Sequence, residues 1–416
     1  MARVNYKKLS KPDTFIGRYL DYCSNSETST AYDFWTAMWL MSVALGRGVV
    51  VDRPHAPVRL NLFVILVAES GVTRKSSAVR RAVKFARNIT GNDNPLIESR
   101  ITPEALEWQL QIQTIDHGYA YTNIAVDELV TFLGKEKYVS AMPTLLTDLY
   151  DAPEFRTGGG TLSRGTTRLQ NVFVNFLSAS TPSWLLRAVN PDVIEGGFTS
   201  RVIFIVSEKA KMSAPWPVAN DVALSTQIQE DLNAIRAQSK TVPSIEVTIA
   251  ARKRFESWYK RRDLHRDTFR SSFQSREDAH VLRVAALLAI NEGGWQIQAH
   301  HITGAIAVVL ECREDGAAIF EGTGTQTKVI LGIDALRDKL LIAGMSGVPQ
   351  AQLTAQMQRY FDAEHMKIAL DVMHELGMVQ QFSGIKIGKG RPTTLWRATK
   401  ALLDSKALDL IIDRVQ

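Results

Sequence analysis

Four short apolar runs, at residues 60–67, 124–126, 172–178 and 202–206, punctuate the stretch 60–208, with segments of helical periodicity between them. Such runs read as strands buried on both faces. A chain that alternates them with helices is driven towards a mostly parallel sheet covered on each side. The 416 residues are 45% hydrophobic and 22% charged. At roughly 150 residues per domain this supports two or three folded domains, and the charge content argues against general disorder.

The first run continues into Leu66-Val67-Ala68-Glu69-Ser70-Gly71-Val72-Thr73-Arg74-Lys75-Ser76. A buried strand entering a small-residue loop and then Lys-Ser is the arrangement of a phosphate-binding loop. The loop N–H groups and the positive end of the following helix face the phosphates. Lys75 is expected on the β- and γ-phosphates and the Ser76 hydroxyl on Mg²⁺. Ser70, Gly71, Val72, Thr73, Arg74 and Ser77 complete the expected cradle. The glycine pattern departs from G-x-x-x-x-G-K-[ST], because Glu69 and Arg74 hold the two glycine positions and only Gly71 remains. A chance Lys-Ser after an apolar run is the rival reading.

About fifty residues on, Asn123-Ile124-Ala125-Val126-Asp127-Glu128 supplies a second strand ending in two carboxylates. Asp127 is expected to hold Mg²⁺ and Glu128 to orient an attacking water. The alternative is a strand end followed by a helix start, where acidic residues favour the dipole. The two motifs in this order point to a nucleoside triphosphate, ATP, as ligand and to its hydrolysis. Further along, Thr181 ends a strand ahead of Pro182, either sensing the γ-phosphate or capping a helix. Arg201, after Gly196-Gly197-Phe198-Thr199-Ser200, is expected as a lone cation on a turn, reaching a neighbouring subunit's nucleotide or simply opening a strand.

The order of these motifs resembles the P-loop ATPase domains, RecA-like or AAA+-like, of phage, plasmid and mobile-element replication proteins. The resemblance runs through Ala44-Leu45-Gly46-Arg47, Leu60-Asn61-Leu62-Phe63-Val64, Thr102-Pro103-Glu104-Ala105-Leu106, Val126-Asp127-Glu128-Leu129, Leu149-Tyr150-Asp151, Ala179-Ser180-Thr181-Pro182 and Gly197-Phe198-Thr199-Ser200-Arg201. It extends to Arg276, His280 and Arg283. An Arg often precedes the loop Lys in this family, as Arg74 does, whereas Thr181 stands where Gln is common. The resemblance implies an ATP-driven motor working on DNA, a helicase or translocase, assembled as a homo-oligomeric ring (a hexamer) on single-stranded DNA, with a primase as a possible partner. An initiator or loader ATPase, and a non-enzymatic DNA-binding scaffold with a degenerate loop, remain open alternatives.

Residues 1–50 read as a helical region, 51–210 as the P-loop core and 211–322 as a helical lid-like region. Residues 326–400 read as a winged helix, and 401–416 as a C-terminal helix or tail. Residues 248–320 read as helices only, and the Gly322-Thr323-Gly324-Thr325 stretch as a linker. The stretch 154–171 reads as a hairpin or mobile loop, with Arg156 and Arg164 as candidate DNA contacts. Near the C-terminus two helices and two strands surround a glycine-rich turn. Its cations Lys386, Lys389 and Arg391 are expected on the wing tip, facing phosphates. Residues 252–270 interleave cations with Trp258, Tyr259 and Phe269. That pattern suits either a solvated helix face or base stacking.

The net charge of +6 permits a nucleic-acid partner without requiring one. Cys23 and Cys312 form no metal or disulfide framework, which suits a reducing cytoplasm. No apolar run is long enough to span a bilayer. The fold expected is therefore α/β: a P-loop core with a parallel sheet, flanked by helical regions, plus a C-terminal winged helix.

Overall fold

The computed structural model describes residues 3–54, 57–133, 141–158, 166–188, 197–216, 221–263, 265, 268–320, 324–357, 363–375, 377–383 and 394–399. The chain divides into two compact units, residues 1–317 and 318–416. No helix among the described residues is long and apolar enough to cross a membrane.

In chain order the strands of the first unit are β1 (Val50–Val51), β2 (Val58–Arg59), β3 (Phe63–Val67), β4 (Leu96–Ile97), β5 (Tyr121–Val126), β6 (Phe155–Thr157), β7 (Arg168–Gln170), β8 (Phe173–Ser180), β9 (Ile203–Val206), β10 (Ser244–Val247) and β11 (Gln296–Ile297). The fold is α/β. Its centre is a five-stranded, all-parallel sheet in the order β4-β5-β8-β3-β9. β3 and β8 are buried along their whole length, as double-sided burial of parallel strands requires.

Alternate residues of β8 point to opposite faces. On one face Asn175 meets Ser42 of the helix Thr30–Leu45. That helix is predominantly apolar and almost wholly buried, the mark of a core helix, with Asp33 inside paired to Arg81 and Lys211. On the other face Phe176 packs against Phe63 and against Phe132 of the helix Leu129–Leu133. Phe63 also meets Tyr150 edge-on, at the end of the helix Ala141–Tyr150. The N-terminal helices are thus part of the sheet's cover, within the same unit as the core.

Asn175 is the polar hub of this core. Its Oδ1 accepts from Ser42 Oγ at 2.6 Å and from the Leu62 N–H at 2.9 Å, and its Nδ2 donates to Asn123 Oδ1 at 2.9 Å. Asn123 passes the chain of bonds on to Asn94 at 2.6 Å. Buried amides are tolerated only when so satisfied.

A second sheet, β11-β10-β1-β2, joins the start of the core to the helical region. β10 pairs in parallel with both β1 and β11. Residues 248–320 are therefore not helices only, since β11 interrupts them between the helices Thr268–Asn291 and Ala299–Phe320. β6 and β7 form an antiparallel hairpin, and Arg164 lies outside the described residues.

The second unit has the order helix Gly324–Ala343, β12 (Val348–Pro349), helices Gln350–Met357 and Ala363–Glu375, then β13 (Val379–Ser383) and β14 (Thr394–Ala398). Its three strands form an antiparallel sheet, β12-β14-β13. Its core gathers Leu336, Leu340, Leu353, Met366, Leu370, Met373 and Trp396. Gly324 opens the first helix instead of belonging to a linker. Lys386, Lys389 and Arg391 lie outside the described residues.

Candidate active site

β3, β5 and β8 run parallel, so their C-terminal ends share one edge of the sheet, and the residues that follow them meet there. After β3 the chain turns through residues 68–74 and enters the helix Lys75–Ala86. After β5 come Asp127 and Glu128, and after β8 comes Thr181. β8 lies between β3 and β5. Two strand spacings of ~4.8 Å then separate the loop from the carboxylates by roughly 10 Å at the sheet edge. A crevice of about 350 Å³ opens in that gap.

Among the residues expected at such a site, Ser70, Gly71, Arg74, Lys75, Ser76, Ser77, Asp127, Glu128 and Thr181 line the crevice. Val72 and Thr73 do not line it. Thr73 turns inward, where its hydroxyl meets Tyr32 Oη at 3.3 Å, and Tyr32 in turn donates to the Val67 carbonyl at 2.7 Å. This chain ties the loop to the end of its own strand.

Arg74 occupies the glycine position with φ 47° and ψ 38°, left-handed backbone immediately before the helix. Gly71 also has positive φ, 80°. The loop thus makes the turn that a glycine normally serves, with an arginine bearing the strain. The Arg74 side chain is held by Glu27, Nε to Oε2, at 2.8 Å.

The Lys75 Nζ approaches the Glu69 carbonyl at 3.4 Å. Burial pushes the Lys75 ammonium below its ordinary range, and Glu69 and Glu128 act in the opposite sense. An anion entering the crevice restores what burial removed. Ser76 Oγ lies 3.4 Å from the Asp127 carbonyl, so the hydroxyl and the carboxylate residue are adjacent. A hydroxyl beside carboxylates is a hard-oxygen donor set, the kind Mg²⁺ takes up with phosphate oxygens and water. Glu128 Oε2 lies 3.4 Å from Thr131 Oγ1 at the start of the next helix. Thr181 accepts from the Trp184 N–H at 3.3 Å. It therefore caps the helix Pro182–Ala188 and faces the crevice at once.

Arg80 and Trp184 also line the crevice and were not among the expected residues. Arg80 stands four residues beyond Ser76 on one helix face, with its Nε 4.0 Å from Asp127 Oδ2. That spacing was a readable signal. Trp184 belongs to no phosphate-loop pattern.

Arg201 is not the lone cation of the sequence expectation. It ends the short helix Phe198–Arg201, donates to Asp151 Oδ2 at 2.8 Å and to the Gly197 carbonyl at 3.0 Å, and does not line the crevice. Arg276 grips the same Asp151 at 2.9 and 3.1 Å. Arg283 is buried and donates to Tyr150 Oη and to the Arg59 carbonyl. Arg156 is likewise neutralised, between Glu107 and Asp148, so it is not a free phosphate contact. No protein-family model matches this chain, and no curated protein matches it.

Proposed function

We propose that the first unit is a P-loop ATPase. The observation that carries the reading is the convergence, at one edge of a parallel sheet, of the Glu69–Ser76 loop, the Asp127–Glu128 carboxylates and Thr181 around one crevice. The sheet order adds support. The chain leaves β3 towards β4 on one side and returns to place β9 on the other, and such reversals of order are where open α/β sheets bind ligands. The positive φ at Arg74 supports this reading over the degenerate-loop alternative, because residue 74 takes a backbone conformation that glycine favours.

In this reading loop N–H groups and Lys75 hold the β- and γ-phosphates, while Ser76 and Asp127 hold Mg²⁺. The metal, when bound, neutralises charge on the phosphate oxygens. Glu128 accepts a hydrogen bond from the attacking water and aligns it with the γ-phosphorus. Water then forms the new P–O bond and gives its proton to the Glu128 carboxylate, while the bond to the β-phosphate oxygen breaks, releasing ADP and phosphate. Arg80, beside Asp127, adds positive charge to the phosphate side.

The second unit's order of helix, strand, two helices and two strands is that of a winged helix. Together the two units support an ATP-dependent helicase or translocase on DNA, working as a homo-oligomeric ring. As a ring subunit, Arg201 serves a neighbour's nucleotide only after exchanging Asp151 for it.

The test is ATP hydrolysis with and without single-stranded DNA, in the wild type and in Glu128→Gln. DNA-stimulated hydrolysis that falls by two orders of magnitude or more in the variant supports a motor. Absence of hydrolysis under every condition rejects the enzyme reading.

A further inference from the structure

The helix Ile249–Lys260 has Ala251 as its one fully buried residue, with Arg254 to Trp258 half-buried and the rest exposed. Its residues Arg252, Phe255, Glu256, Tyr259 and Lys260 fall at positions i, i+3, i+4, i+7 and i+8, a single helix face. In a packed helix that face is apolar and closed against a core. Here it forms one wall of an open groove of about 680 Å³, larger than the nucleotide crevice, with β10 and the segment 51–54 opposite.

The wall has a definite chemistry. Phe255 and Tyr259 stand with ring centroids 6.2 Å apart and planes 30° apart. The Arg262 guanidinium covers one face of the Tyr259 ring at 3.8 Å, and Tyr259 is still 43% exposed, so a stacking base takes its other face. Arg252 and Lys260 bracket the rings along the helix, and Lys253 and Arg261 are further exposed cations beside that face. The carboxylates Asp52, Glu246 and Glu256 also line the groove. They disfavour phosphates inside it but accept hydrogen bonds from N–H groups of bases. Arg252 is occupied by Glu256 at 2.9 Å.

We propose that this groove is a binding site for single-stranded nucleic acid, with bases stacked on Phe255 and Tyr259 and the phosphate backbone along the rim of cations. Rings flanked by cations on one ridge match what a single strand presents, flat bases on a charged thread. The sequence leaves residues 252–270 open between a solvated helix face and base stacking, and the open groove against this helix favours the second. The inference deepens the proposed function and rests on its nucleic-acid half, not on its ATPase half.

The experiment uses the full chain and a fluorescein-labelled 30-mer of single-stranded DNA, read by fluorescence anisotropy at low and at moderate salt. The same protein samples are titrated with a fluorescent ATP analogue. Tyr259→Ala and Lys260→Glu are the test variants. Both side chains are exposed, so folding is little at risk. The wild type is expected to bind the 30-mer, more weakly as salt rises. Tyr259→Ala is expected to lose roughly tenfold in affinity, in line with one stacking platform, and Lys260→Glu several-fold, with ATP binding unchanged in both. In parallel, an oligonucleotide carrying 5-iodouracil is expected to crosslink within residues 249–262.

Oligonucleotide affinity unchanged in both variants, or crosslinks confined to other segments, overturns the groove while leaving the ATPase reading intact. Failure of the wild type to bind the 30-mer also overturns it. Loss of ATP binding in the wild type, with oligonucleotide binding retained, rejects the ATPase and leaves the groove standing.

Discussion

The Arg74 guanidinium is bonded to the Glu27 carboxylate at 2.8 Å, and the other oxygen of Glu27 accepts from the Ala214 N–H at 3.2 Å. One acid thus joins the residue at the loop's missing-glycine position to the segment that leaves the parallel sheet after β9. Arg74 lowers the Glu27 carboxyl below its ordinary range, with the Ala214 N–H adding to the effect. The pair holds in place a side chain whose backbone sits in left-handed conformation.

That geometry makes Arg74 separable from the loop's shape. Arg74→Gly removes the left-handed strain, worth about 1 kcal/mol, while loosening the unfolded chain by a similar amount. Its melting midpoint is expected to stay close to the wild type. Arg74→Val puts a β-branched residue at φ 47° and is expected to destabilise by roughly 1–2 kcal/mol. Thermal melts of the two variants decide this, and equal stability of Arg74→Val and wild type contradicts the assigned conformation.

Asn175 sits at the centre of the sheet with three hydrogen bonds and no exposure. Asn175→Leu leaves Asn123 Oδ1 and the Leu62 N–H without their partner, while Ser42 Oγ keeps the Leu60 carbonyl at 2.7 Å. A cost of roughly 2–4 kcal/mol is expected, given about 1–3 kcal/mol per unsatisfied buried group with partial relaxation. Urea unfolding measures it. A change below about 0.5 kcal/mol, the range of ordinary surface substitutions, contradicts the hub.

His280 is buried with Nε2 2.9 Å from the Ser200 carbonyl. Burial above all, then the Arg283 charge, pushes its imidazole down to about 3. The unfolded state takes up the proton near pH 6.5 and the folded state does not until about 3, so stability from this residue is lost as pH falls from 6.5. Between pH 7 and 5 the loss is about 2 kcal/mol. Asp315 works in the opposite sense, since burial raises it from 3.8 to about 6, so stability from this residue is lost as pH rises from 3.8 towards 6. The prediction therefore concerns the difference between wild type and His280→Gln, which lacks the titration. Wild-type stability should fall relative to the variant on acidification, and parallel pH profiles of the two contradict the assignment.

The sequence made the long elements legible and the short ones not. β3, β5 and β8 announce themselves as apolar runs with carboxylates or Ser-Thr at their ends. β4 and β11 have two residues each, too few for any period to appear. The second sheet pairs Val50 with Ser244 and Val51 with Ile245, across nearly two hundred residues and with no local signal. At the site, Lys75, Ser76, Asp127 and Glu128 were readable because strand ends fix where such residues must point. Whether a cation is free was not readable. Arg201 and Arg156 are largely buried against carboxylates of other elements, whereas Arg80 is exposed beside Asp127. The reach of residue 74 into left-handed backbone was hidden for a related reason, since an arginine carries no mark of the turn it occupies.

The central claim is that the crevice binds ATP through Lys75. Isothermal titration of ATP with Mg²⁺ into the wild type and into Lys75→Ala tests it most directly. One site per chain in the wild type, weakened at least tenfold in the variant and unchanged in Arg201→Ala when the protein is held as a monomer, is the predicted result. Equal affinity of wild type and Lys75→Ala, or no binding by the wild type, contradicts it.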